Sequence, residues 1–296
     1  MGGYGVRVRT ASGERSQRQS LVDRTKPVGE SSYIPIIQMY FAIARAGFRR
    51  YGTYRIALVA AMFANVVFGF LRCSVLLTVA GSGTGLGYSG RQLVTYVWVG
   101  QGLIGVVLLW MQPELPERIR SGDIVTDLLR PVNPIWRMLA GDLGVAAYAS
   151  LTRLVGPIMI GALFFDLYTP RELTTYPCFM ISMVLAVLVG FACRFLVSAL
   201  SYWLIDARGQ WMAWSIATVL LSGLAFPLWF LPHPLALALY VGSPVASVLQ
   251  LPLDVLVERV SPGPALAVQA AWVVVLLAGC QRLQRRAERR LVVQGG

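Results

Sequence analysis

Six apolar stretches divide this chain, and the basic residues between them fall almost entirely on one side. If each stretch crosses a membrane, 20 of the 26 arginines and lysines share one face, three share the other, and three lie inside the stretches. Basic residues in short loops stay cytoplasmic during insertion. The pattern therefore predicts class and topology together: an integral membrane protein with both termini in the cytoplasm. A formal charge of +12 would point to nucleic acid if it formed a patch on a soluble fold. Here the charges alternate with hydrophobic runs, so lipid is the expected partner and nucleic acid is not.

Composition agrees. Charged residues make up 14% of the 296-residue chain, where a soluble domain carries roughly 25%. The apolar length suffices for about six helices of ~20 residues. Predicted spans cover Ile56–Ala80, Leu93–Trp110, Leu143–Phe165, Tyr176–Ser198, Trp211–Ala225 and Ala265–Cys280. Three parts follow: a basic cytoplasmic tail over 1–32, a membrane domain over 33–281, and a basic cytoplasmic tail over 282–296. The first tail has no apolar core of the kind a secretory signal needs and reads as disordered.

Within the membrane domain, residues 33–50 (YIPIIQMYFAIARAGFRR) read as an amphipathic helix. Ile36, Ile37, Tyr40, Phe41, Ala44 and Phe48 make an apolar stripe, and Arg45, Arg49 and Arg50 gather at its C-terminal end. Such a helix suits the cytoplasmic interface. Residues 227–263 are apolar yet interrupted by Pro227, Pro232, Pro234, Pro244 and Pro252. Irregular backbone at membrane depth survives only when buried in protein or lining a cavity, which favours short re-entrant helices entering from outside over the alternative, a loop lying on the bilayer surface. In the polar segment 111–142, Asp123 can cap a short helix with Ile124 and Leu128 on one face. Pro131 ends it. A helix of that kind can press into a groove on a soluble partner; the alternative is an interfacial connector.

Absences narrow the chemistry. Lys26 is the only lysine and stands in DRTKPV, so no GxxxxGK[ST] phosphate loop exists in the sequence. His233 is the only histidine, which excludes HExxH and any two-histidine metal site. No GxSxG elbow occurs. GLGYSG (85–90) matches GxGxxG, but it joins two apolar spans rather than a strand and a helix. The four cysteines lack CxxC spacing and read as small buried hydrophobes. No catalysis, metal or cofactor is expected in this chain.

Four segments together resemble a known family. They are SGDIVTDLLRPVNP, then SYWLIDARGQWMAWSIATVLLSGLAFPLWFLPHPLALALY, then PVASVLQLPLDVLV before the last span, and the terminal RRLVVQGG. In order and spacing they resemble permease subunits of ABC-2 type transporters, covering nearly everything after residue 33. The resemblance implies an all-α membrane domain of six spans. It makes the amphipathic helix an elbow, the segment between spans two and three a cytoplasmic coupling helix, and the pieces between spans five and six outer re-entrant helices. It places coupling to a separate ATPase subunit on Gly122, Asp123, Ile124, Asp127, Leu128 and Arg130. It also implies that ATP and Mg belong to that partner, that the permease pairs with a second copy or a related permease, and that the assembly exports its cargo across the cell membrane. The long N-terminal tail departs from the pattern.

Three arginines inside spans depart too. A charge at the bilayer centre costs at least ~2.5–3.5 kcal/mol, so each needs a partner or water. Arg153, Arg72 and Arg194 are candidates to line a translocation path, Arg153 being nearest mid-span. The alternative is bonding to backbone carbonyls, to Asp142, Asp166 or Asp206, or snorkelling to headgroups, which suits Arg194 near its span's inner end. Rival functions are a stand-alone secondary transporter and a non-transporting membrane scaffold. Against the former, no acidic residue falls inside a predicted span to carry an ion, and no inverted repeat is visible.

Overall fold

A computed structural model describes residues 36–52, 55–81, 87–124, 132–204 and 208–294, and every regular element among them is helical. Residues 40–296 form one compact unit. A second unit, residues 1–39, is described only over Ile36–Met39. The expected N-terminal tail lies outside the described residues.

The amphipathic segment is helical, α1 (Ile36–Tyr51), with Arg49 and Arg50 in its last turn. Apolar helices α2 (Arg55–Gly81) and α3 (Gly90–Val106) follow. Ser89 caps α3 in a capping box with Gln92, so the end of the GLGYSG stretch is a helix start. A seven-residue helix, α4 (Leu115–Ser121), precedes α5 (Pro134–Ala149). A π-helical turn, Ser150–Leu154, joins α5 to α6 (Val155–Phe164) without a break. After a loop come α7 (Thr175–Ala199) and α8 (Arg208–Leu221). Two short helices, α9 (His233–Gly242) and α10 (Gln250–Leu256), fill the Pro-rich stretch before α11 (Pro262–Gln294).

Four helices are long and apolar enough to cross a membrane: 59–81, 134–164, 175–202 and 262–289. The second and fifth predicted spans are also helices but shorter, 17 residues in α3 and 14 in α8. Two boundaries move. Asn133 caps the third helix through Ile135 N at 2.9 Å, with Pro134 in the first turn. The helix therefore starts nine residues before the apolar run at Leu143. Consequently Asp142 lies inside a candidate span, correcting the expectation that no span holds an acid. At the C-terminus the basic tail continues α11 instead of leaving it.

α7 is central. It runs along α11 and also meets α10, α5 and α8. α3 is almost wholly buried and contributes Tyr96, Val99, Leu103 and Val106 to the main core. A smaller core joins α2, α3 and α6 around Trp98, with Cys73, Leu76 and Phe165. Small residues set the closest helix approaches, as packing inside lipid requires. A Cβ on Gly102 would stand 2.7 Å from the Leu154 Cα, and one on Gly144 would collide with the Ala44 carbonyl. The second contact seats α1 against α5, with Gly47 over the Gly141 carbonyl and Phe48 edge-on to Tyr148 at 5.2 Å.

Candidate functional site

The segment between the second and third apolar helices is built from two turns of helix and a glycine. Pro116 opens α4, and Gly122 closes it at φ +81°, where its amide donates to the Ile119 carbonyl. Left-handed backbone of this kind favours glycine. Immediately beyond, the exposed Asp123 accepts a 2.8 Å hydrogen bond from the Ser121 hydroxyl. Ile124, by contrast, is 2% exposed and packs into the main core. Gly122 and Asp123 thus face outward, while Ile124 fastens the segment to the bundle. Asp127, Leu128 and Arg130, and the helix expected after Asp123, lie outside the described residues. Around this turn the charges pair: Arg50 with Glu114 at 2.8 Å, Arg118 with Glu114 at 3.8 Å, and Arg120 with Glu117 at 3.7 Å.

The three arginines within apolar helices occupy three different settings. Arg194 on α7 is 2% exposed and holds Asp142 of α5 at 2.7 Å. It also donates to the Gly190 carbonyl at 3.2 Å and the Met111 carbonyl at 3.5 Å. Its partners are therefore the carboxylate and carbonyls that the sequence left open, not headgroups. Arg153 lies in the π turn, its side chain laid on α3 at Gly105, where a Cβ would fall 2.5 Å from the Arg153 Cδ. π turns inside α-helices are frequent at functional positions. Arg72 on α2 is partly buried, and its Nε and Nη1 atoms are buried with no hydrogen-bond partner.

A polar cluster that the sequence reading missed lies between α3 and the 223–259 region. Asp254 is fully buried and accepts from the Tyr88 hydroxyl at 2.6 Å, the Trp229 indole at 2.8 Å and the Gln250 amide at 2.8 Å. The Gln250 carbonyl in turn accepts from the Tyr96 hydroxyl at 2.8 Å and the Leu228 amide at 2.9 Å. Arg259 covers the cluster, its guanidinium 4.4 Å from the Tyr88 ring centre while donating to the Gly87 carbonyl. The available signal was the pair Gln250 and Asp254, four apart in an otherwise apolar helix and so on one face.

Glu258 makes a second anchor. Its carboxylate accepts from the Tyr168 hydroxyl at 2.5 Å, the Glu172 amide at 2.9 Å, the Arg171 amide at 3.0 Å and the Thr175 hydroxyl at 2.8 Å. These donors belong to the 166–174 loop and the first turn of α7. Burial alone would raise this carboxyl, but the hydrogen bonds outweigh it and hold the pKa down, at about 2.

The family model for ABC-2 family transporter proteins matches residues 63–295. The chain belongs to the ABC-2 transporter family. The match begins inside α2 and runs through α11, so it takes in the α4 turn, all three arginines and the Asp254 cluster, while α1 precedes it. No curated protein matches the chain. ABC-2 permeases are membrane components of ABC transporters, in general non-catalytic and served by a partner ATPase. Family and helices together make this a multi-pass membrane protein.

Proposed function

We propose that this ABC-2 permease is the membrane half of an ATP-driven exporter in the cell membrane, with six spans and both termini cytoplasmic. In this reading α3 and α8 complete the set of spans, α1 is an interfacial elbow, and α9 and α10 are outer re-entrant helices. ATP and Mg bind a separate ATPase. Closure of that partner moves the 117–131 segment, and the movement passes through Ile124 into the bundle, switching a pair of permease subunits between inward- and outward-open states. The second subunit is either another copy or a related permease.

The supporting observation is the α4 turn, where Gly122 and Asp123 are exposed beside a residue rooted in the core. A force applied to such a turn is transmitted, because its anchor is packed into the main core. Arg72, whose Nε and Nη1 make no hydrogen bond, and Arg153, laid against Gly105 of α3, are assigned to a cationic path lining. Arg194 is assigned to holding α5 and α7 together.

Co-purification and ATPase assays test the reading. The chain is expected to bring down a stoichiometric ATPase. Combined replacement Asp123→Ala and Leu128→Ala is expected to leave the complex folded while ATP hydrolysis no longer drives transport. Normal transport by that double variant, or ion-driven transport by the lone permease in vesicles, overturns it.

A further inference from the structure

The C-terminal helix α11 presents one continuous exposed face. Along its apolar part Ala271, Val274 and Val275 are exposed, while Leu276 and Cys280 are buried on the opposite side. Followed at 3.6 residues per turn, the exposed face runs on through Arg282, Arg285, Arg286 and Arg289, all of them exposed. Gln284 and Ala287 are buried opposite these arginines, and Gln284 accepts from the Tyr202 hydroxyl at 3.5 Å. The basic end is thus a packed continuation of the apolar helix, and its arginines stand in line with the exposed valines.

Their charge is unmatched among the described residues. None of the four makes an ion pair or side-chain hydrogen bond there, and the one acid beside them, Glu288, accepts from Gln284 at 3.1 Å. Depth decides what can reach them. At 1.5 Å per residue, Pro262 to Cys280 rises about 28 Å, close to the ~30 Å of a hydrocarbon core. Arg282, Arg285 and Arg286 then fall roughly 3–9 Å beyond it, where the headgroup layer is roughly 5–8 Å deep. Arg289 stands about 5 Å further on. A second copy set on this stripe by a two-fold axis would bring arginine against arginine, which opposes docking. A soluble partner approaches the tip of such a helix, whereas the stripe continues its apolar exposed side.

We propose that this stripe binds acidic phospholipids, the four arginines holding headgroups of net negative charge while the acyl chains lie along Ala271, Val274 and Val275. That α11 crosses the bilayer with its basic end cytoplasmic rests on the topology proposed above; the preference for anionic lipid rests on the stripe. Bound lipid anchors the end of a helix that packs along α7.

Photo-crosslinking in nanodiscs tests this with the full-length chain alone, without transport or an ATPase. The discs hold equal amounts of phosphatidylglycerol and phosphatidylcholine, with a trace of one or the other carrying a diazirine near the start of its acyl chain. One arginine at a charged surface gives roughly a fivefold preference. At low salt the phosphatidylglycerol probe is therefore expected to label residues 271–289 at least about tenfold more than the phosphatidylcholine probe, and the ratio falls as salt rises. Combined Arg282→Gln, Arg285→Gln, Arg286→Gln and Arg289→Gln brings the ratio near one without moving the thermal midpoint. The corresponding four lysines keep it, and Arg91→Gln, outside the stripe, leaves it unchanged. Equal labelling of the native chain by both probes, or a ratio unchanged in the glutamine variant, overturns the proposal. Loss of the preference on adding inorganic phosphate at constant ionic strength assigns the arginines to a soluble anion. Crosslinking of 271–289 to a second copy in place of lipid, or loss of all labelling when a partner ATPase binds, assigns the stripe to a protein. Each of these results also overturns it. The two leaflets of the disc are alike, so a reversed topology leaves the expected ratio intact; cleavage of residues 282–294 by protease outside intact cells refutes the topology separately.

Discussion

Replacing Asp142 or Arg194 singly should damage this protein far more than replacing both. The guanidinium is 2% exposed and its carboxylate partner 22% exposed, at 2.7 Å. Removing one member of a buried pair leaves an uncompensated charge at a cost of about 3–5 kcal/mol, whereas apolar residues of similar volume in both places are often neutral. The two singles are not equivalent. Asp142→Leu strands the more deeply buried charge, with only the Gly190 and Met111 carbonyls left to it at 3.2 and 3.5 Å. It belongs at the upper end of the range. Arg194→Met leaves a carboxylate that water already reaches, and belongs at or below the lower end. The Asp142→Leu/Arg194→Met double variant is expected within about 1–2 kcal/mol of the native protein, giving a favourable coupling of at least about 2 kcal/mol. Equilibrium unfolding in mild detergent measures all four species, with tryptophan fluorescence as the readout. Strict additivity, with the double variant as unstable as the sum of its parts, refutes the reasoning. So does an Arg194→Met variant that unfolds normally but no longer transports, for then the arginine serves the cargo and not the fold.

Three further outcomes are expected. Glu258→Gln loses charge-assisted hydrogen bonds from four donors and costs about 2–3 kcal/mol. Because the native carboxyl is held at about 2, below its ordinary 4.5, its contribution is complete above the ordinary value and disappears as pH falls toward 2. The Gln variant's thermal midpoint should therefore fall less steeply than the native one over that interval, and parallel curves would contradict the assignment. Gly144→Ala drives a methyl into the Ala44 carbonyl and costs about 1–3 kcal/mol by overpacking, while Gly81→Ala, with open space around it, is neutral or mildly stabilising; equal midpoints for the two would rule out the α1–α5 contact. Asp254→Ala leaves the Tyr88, Trp229 and Gln250 donors unpaired and costs about 3 kcal/mol or more, read as a lowered midpoint and increased proteolysis of the 227–260 region.

Helix positions were legible because apolar runs of this length have few other fates, and the helical amphipathic segment and the broken 227–263 stretch were legible for the same reason. Helix ends were not. Hydropathy starts the third helix at Leu143, because Arg137 and Asp142 read as loop charges. The chain starts it at Pro134, because Asn133 can cap and proline is pre-set for a first turn. The charge of Asp142 is then cancelled from α7, 52 residues further on. A window moving along one segment cannot register that partner. The second apolar stretch also ends differently: α3 stops at Val106 where the stretch continues to Trp110, and Leu108 turns the backbone to φ +54°.

The candidate site divides along similar lines. Local chemistry was readable wherever one residue suffices, as at Gly122, whose left-handed backbone follows from being the glycine after a short helix. It failed where a role depends on a distant neighbour. Ile124 and Asp123 are adjacent and both suit a docking helix, yet the core takes one and solvent the other. Tyr88, Gln250 and Asp254 are ordinary in sequence, and become a network only because chain positions up to 166 residues apart converge. The three arginines carry the point furthest. Their cost in an apolar helix was known from the sequence, but the remedy differs at each. Arg194 has a carboxylate, the Arg153 side chain lies against Gly105 of α3, and Arg72 keeps two buried nitrogens without a hydrogen bond. Arg194 already holds the Asp142 carboxylate and two carbonyls, so it is the least available to an anionic cargo. Arg72 is the most available. Charge-removing substitutions should therefore separate the two, Arg194→Met acting on the midpoint and Arg72→Met on transport, and the reverse assignment would exclude a path through α2.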